Sequence, residues 1–177
     1  MVYPFFIYTD IYKERELLVM LFSYVLGFVI LFAYIIYIIC KDKSIPESIS
    51  ATVYSLDSRN RWIYTIVVFI AAFLIAPHLF EITSVIGIEY VAYLTILGML
   101  GTGADPLVHG DKNIVHYCSA VLMGGASQSI VFMLCPFAMM LWLPYVVYTL
   151  YMEDGRWNMM FGEIVMIIAL LICGIVR

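Results

Sequence analysis

The sequence predicts an all-α fold: a single-domain, polytopic integral membrane bundle of six transmembrane helices. Three observations carry that prediction. Of 177 residues, 64% are hydrophobic and 12% are charged, against roughly 45–50% and about 25% in soluble domains. The apolar residues run continuously rather than alternating, which argues against a β-barrel. Several runs also reach the ~20 residues that a helix needs to cross a hydrocarbon core ~30 Å thick. Backbone groups find no partners in lipid, so such runs must be helical.

The first predicted span covers about residues 17–40, is uncharged, and is ended by KDKS. Ahead of it, MVYPFFIYT is too short to cross and lacks a basic leader, so no cleavable signal peptide is expected. The rings of Tyr3, Phe5, Phe6, Tyr8 and Tyr12 suit the membrane interface. The second span, about 62–80, is entered through DSRNR. The third, about 85–103, is interrupted only by Glu89. The apolar stretch Ile114–Met152 is too long for one crossing and long enough for two. Its break is expected at Cys135–Pro136, because a residue before proline avoids helical torsions. That gives spans at 114–134 and 137–152. The sixth span, 159–176, contains Glu163. The connections are Lys41–Arg61, Ala104–Asn113 and the EDGR turn at 153–156.

Charge excludes some partners. The net charge is −4 and the nine Lys and Arg are scattered, so no run of phosphates can be neutralised and nucleic acid is not an expected partner. Cys40, Cys118, Cys135 and Cys173 sit in or beside apolar segments without a CxxC pair, and read as small apolar fillers. For orientation, the loops after spans one, three and five hold six basic residues (Lys41, Lys43, Arg59, Arg61, Lys112, Arg156), against Lys13, Arg15 and Arg177 on the other side. The balance places the termini outside.

Candidate site residues follow from polar groups set at membrane depth. In HGDKNIVHYCSAVLMGG, His109–Gly125, the residues His109, Asp111 and His116 offer metal-ligating atoms, which His78 or Asp105 would complete. The stretch lacks HExxH, and His109 and Asp111 read as a solvated loop. His116 stands at the mouth of span four, as a helix-end anchor or in a polar cavity. A carboxylate within a span is costly, so Glu89 and Glu163 belong either at the interface or facing the bundle. His78 and Glu81 bracket the exit of span two and read as interfacial. GGASQS, Gly124–Ser129, and GMLGTG, Gly98–Gly103, read as close helix packing, with a lipid or substrate contact as the alternative. The second lacks the GxxxxGK of a phosphate loop. SIPESIS, Ser44–Ser50, has no GxSxG elbow around its serines, although His116 would share its membrane face. The candidate ligand-binding set is therefore Ser48, Ser50, Glu89, His116, Ser119, Gln128 and Glu163. Ser50, His116 and Glu163 are the candidates for catalysis.

These pieces, in this order, resemble the six-span membrane family of the damage-regulated autophagy modulators, the Sfk-type proteins and the GPI-anchor-remodelling Golgi proteins. A bacterial branch of unknown function is similar as well. Four stretches carry the resemblance: SIS at Ser48–Ser50, WIYTIVVFIAAF at Trp62–Phe73, ILGMLGTGA at Ile96–Ala104, and HYCSA at His116–Ala120. More loosely, Glu163 sits where the family often has Glu followed by an aromatic. The chain departs from the pattern at Ala51, Val53 and Ile164. The resemblance implies a six-helix bundle tied to lipid handling, with a cytoplasmic N-terminus and the SIS loop on the outer face, opposite to the charge balance.

The expectation is an integral, multi-pass protein of a bacterial inner membrane that binds or organises lipids without catalysis. A membrane-embedded lipid hydrolase or remodelling factor with a polar site near His116 is the alternative. A small transporter is disfavoured by the few mid-membrane charges and the lack of an inverted repeat. Membrane lipids are the expected partners, with a homo-oligomer or a protein within the membrane as further ones. No cofactor is indicated.

Overall fold

The structure is a computed structural model that describes residues 3–104, 106, 114–151 and 156–177. It is helical, with no strand among the described residues. The helices are α1 (Tyr3–Asp42), α2 (Trp62–Ser84), α3 (Glu89–Ala104), α4 (Ile114–Leu134), α5 (Trp142–Tyr151) and α6 (Arg156–Val176). Short 3₁₀ turns cover Ser50–Ser55, Ser58–Asn60 and Pro136–Leu141.

Four stretches are long and apolar enough to cross a membrane: Glu14–Asp42, Ser58–Ser84, Ile114–Leu134 and Met159–Val176. The other two expected spans are shorter, for local reasons. Span three loses its first residues to a turn. Gly87 adopts φ 71°, the Ile88 N–H donates to Thr83 O at 3.1 Å, and the Gly87 N–H donates to Ser84 O at 3.2 Å. That is a Schellman ending, which needs a left-handed residue and so favours glycine. It leaves α3 with 16 residues. Span five begins at Pro136 as a 3₁₀ turn, because Cys135 (φ −142°, ψ 61°) leaves the helical region and Pro136 offers no N–H. Regular α-helix resumes only at Trp142.

Two other boundaries differ from expectation. Helix α1 starts at Tyr3 rather than Leu17, since Lys, Glu and Arg are good helix formers and nothing in DIYKERE breaks the helix. Helix α2 passes through Pro77 and continues to Ser84. His78, expected at the membrane interface, is buried within the bundle. It falls on the buried stripe Ala71, Ile75, His78, Ile82.

Packing partners show the directions of the helices. Tyr34 meets Tyr64 while Tyr24 meets His78, so α1 and α2 are antiparallel. A Cβ on Gly103 would touch Val68, and Phe80 packs on Tyr93, so α2 and α3 are antiparallel. Gly98 faces Met123 and Gly101 faces Ser119, which makes α3 and α4 antiparallel. Gly124 meets Met166 while Arg177 reaches Leu134, so α4 and α6 run parallel. Tyr24 reaches Leu170 and Gly174, which closes α6 back onto α1. Helices α1, α2, α3, α4 and α6 thus form a closed ring in that order. Helix α5 lies outside it, against α6, with no buried residue of its own.

Candidate functional site

The ring encloses a cavity of about 70 Å³. A water needs roughly 10–15 Å³ on this measure, so the space holds several waters or a short piece of hydrocarbon. Every ring helix contributes to the wall. Phe28 and Leu31 come from α1, Tyr64 and Val68 from α2, and Thr95, Met99 and Thr102 from α3. Helix α4 adds Ala120, Met123 and Ser127, and α6 adds Glu163, Met166, Ile167 and Leu170. On α3, α4 and α6 alike the lining covers seven steps along the chain, a height of about 10 Å at 1.5 Å per residue.

One end is closed by a knot of buried groups. Tyr24 is fully buried and His78 is 2% exposed. Tyr24 donates its hydroxyl hydrogen to Leu170 O at 2.5 Å, and His78 Nε2 donates to Gly174 O at 2.7 Å. Gly174 is among the last four residues of α6, whose carbonyls lack an intrahelical donor, and Leu170 lies one turn earlier. The two rings stack edge-on with centroids 4.9 Å apart. Because the accepting atom is a carbonyl, Nε2 carries a proton. Nδ1 is buried and has no hydrogen-bond partner among the described residues.

The other end is covered by the loop after α1, where Ile49 and Ser50 join the wall. The loop is pinned from several sides. Ser48 Oγ accepts the Ala51 N–H at 3.0 Å and pairs with Ser50 Oγ at 3.0 Å. Thr52 Oγ1 donates to Ile49 O, and its oxygen lies 3.2 Å from the Tyr34 hydroxyl. Lys41 Nζ donates to Ser55 O at 3.0 Å, and the Arg61 guanidinium lies 5.4 Å from the Tyr54 ring centre. Across the cavity mouth, the Ile49 N–H donates to Glu163 Oε2. That bond holds the SIS loop against α6.

The structure thus brings Ser50 and Glu163 to one cavity. His116 is half-buried near the start of α4. It heads the stripe His116, Ala120, Met123, Ser127, whose last three members line the wall, and one turn of helix separates it from the cavity. Ser48 is buried, its Oγ accepting the Ala51 N–H at the start of the 3₁₀ turn. Ser119 packs against Gly101. Gln128 ties three elements together: its Oε1 accepts from Trp142 Nε1 at 2.9 Å, and its Nε2 donates to Met166 O at 3.4 Å. Glu89 begins α3, at the end of the bundle opposite Glu163. Glu81 is exposed. His109, Asp111 and Asp105 lie outside the described residues, and no group of three His, Cys, Asp or Glu among the described residues is placed to hold a metal. Cys135 and Cys173 are buried, Cys40 and Cys118 exposed, and all four are free.

Several lining groups were not singled out from the sequence. Thr95 and Thr102 are seven residues apart on one face of α3, a spacing legible in advance. Tyr64 and Met123 carried no such mark. The glycines of 98–103 serve close packing: a Cβ on Gly98 would lie 2.5 Å from Met123 N, and one on Gly101 would collide with Ser119.

This is an all-helical protein, with four helices fit to cross a bilayer, built as a ring around an amphipathic cavity. Set against known proteins, the chain matches no family model, no curated protein and no solved structure.

Proposed function

We propose that this is a six-span membrane protein that binds a lipid or similar amphiphile in the cavity of its helix ring. The alternating helix directions support six crossings. Helix α3 joins the far end of α2 to the near end of α4, so it must traverse the bundle although its 16 residues extend only about 24 Å. The same holds for Pro136–Tyr151 between α4 and α6. A bacterial inner membrane fits the reading, as does the lipid-handling family that the sequence resembles.

One observation carries the binding reading: a mostly apolar cavity has a carboxyl group, Glu163, at its mouth. Met99, Met123 and Met166 are three of its walls, and methionine adapts to irregular chains. Glu163 and Ser50 stand where a head group would sit. Hydrolysis is the less supported alternative, because the hydrogen bond of the Ser50 hydroxyl is to Ser48 and not to a base.

Lipid extraction and mass spectrometry of the purified protein test this. The wild type is expected to retain a bound amphiphile through detergent exchange. Ala120→Phe, which fills the upper cavity, is expected to lose it. Retention by Ala120→Phe equal to wild type would refute the cavity as the site.

A further inference from the structure

We propose that the cavity selects an amphiphile with a primary ammonium head, a long-chain amine, and discriminates against fatty acids of the same length. The inference rests on the binding reading above and adds the chemistry of the head group.

The argument is a census of donors and acceptors. Thr95 Oγ1 donates to Val91 O at 3.0 Å, Thr102 Oγ1 to Met99 O at 2.8 Å, and Ser127 Oγ to Gly124 O at 3.0 Å. Each hydroxyl has one hydrogen, and each spends it on its own helix. What these three side chains turn toward a guest is lone pairs, Thr102 at Glu163's end and Thr95 and Ser127 at the deep end; Ser50 and Tyr64 are the other hydroxyls of the wall. Glu163 adds a carboxyl group which, once ionised, is an acceptor only. One of its oxygens takes the Ile49 N–H, and the other takes no hydrogen bond from the described residues. No Lys, Arg or His lines the wall. A carboxylate or phosphate head would bring negative charge and more acceptors beside Glu163, with no cation to receive it. An ammonium brings three donors and the missing positive charge.

Geometry agrees with a single chain. Glu163 is at the mouth and Leu170 at the floor, about 10 Å apart along α6. An amine held at Glu163 would lay its hydrocarbon along Met166, Ile167 and Leu170, ending above the Tyr24–His78 knot.

The test uses octylamine, octanoic acid and octanol, which share one chain and differ in the head. Binding to the purified full chain in maltoside micelles is measured by calorimetry, for wild type and for Glu163→Gln. A glutamine keeps an oxygen to accept the Ile49 N–H, so the loop stays latched. It also corrects for partition of the probes into the micelle. Octylamine is expected to bind wild type at least about tenfold more tightly than octanoic acid, and to lose most of that advantage in Glu163→Gln. Octanol should bind both proteins alike. If octanoic acid binds as well as the amine, or if Glu163→Gln leaves the amine unaffected, the head-group inference falls while amphiphile binding stands. If none of the three binds, both fall.

Discussion

Gly98 is where the ring has least room, and Gly98→Ala is the sharpest test of the packing. An ideal Cβ at residue 98 lies 2.5 Å from Met123 N, 2.7 Å from Met123 Cβ and 2.8 Å from Met123 Cα. Comfortable heavy-atom contact begins near ~3.5 Å, so α3 and α4 must part by about 0.7–1 Å. The atoms in the way are mostly backbone, and no rotamer change relieves them. Overpacking of this kind costs about 1–3 kcal/mol, and a backbone clash belongs at the upper end. Alanine returns up to about 1 kcal/mol through its higher helix propensity. The net loss is about 2 kcal/mol, or a fall of roughly 4–8 °C in Tm for a chain of this size. Gly125 is the control. A Cβ there meets nothing within 4 Å, so Gly125→Ala keeps the propensity gain and holds or raises Tm. Thermal unfolding in detergent, followed by size-exclusion fluorescence, reads both variants. A Gly98→Ala protein as stable as wild type would refute the close α3–α4 contact, as would equal shifts at the two glycines.

The remaining expectations concern the two ends of the cavity, the outer helix and the sidedness. Gly174→Ala places a Cβ into the fully buried Tyr24 ring, 2.7 Å from its hydroxyl; a loss of about 1–3 kcal/mol is expected by the same assay, and Tyr24→Phe combined with it should recover little because ring carbons also collide. Gln128→Leu strands the Trp142 N–H and frees the 136–141 turn from α4; a shift of Trp emission and a drop of about 1–2 kcal/mol are expected. Ser48→Ala removes the acceptor for the Ala51 N–H; a loosened SIS loop should show as faster hydrogen exchange at 49–53, with the α2 core unchanged. Cysteines placed at Ser55 and Ser84, in a background without the native cysteines, should react with an impermeant reagent from opposite faces. Labelling of both from one face would overturn the crossing order.

How much of this was legible in the sequence depends on what each element needed. The helices were legible because lipid leaves a long apolar run no other option. Their ends were less so. Nothing in the apolar count shows that VIGI at 85–88 forms a Schellman turn, because that turn depends on one torsion at Gly87. Pro77 and Pro136 look alike in a hydropathy profile, yet only Pro136 interrupts a helix. Ser50 and Glu163 drew attention as polar groups at membrane depth, and their meeting required the ring to close α6 onto α1. The burial of His78 was not legible, because it comes from Tyr24 of α1 and Gly174 of α6, partners far away in the sequence. The acceptor character of Thr95, Thr102 and Ser127 was invisible in advance, since it depends on where each hydroxyl hydrogen goes.

That character bears on why a carboxylate stands at 163 at all. Ionising a carboxyl group inside a helix bundle is costly, and the contact it makes inside the chain does not require a charge. The Ile49 N–H needs only an oxygen, and a glutamine would supply one at a smaller desolvation cost. Thr102, the α3 hydroxyl at Glu163's end of the cavity, turns its hydrogen to Met99 O, so it does not solvate the charge. A group whose internal partner would be equally content with an amide, in a wall without Lys, Arg or His, is poorly explained by stability. A cationic head group supplies what the wall lacks, and the cost in the empty state becomes selectivity in the filled one.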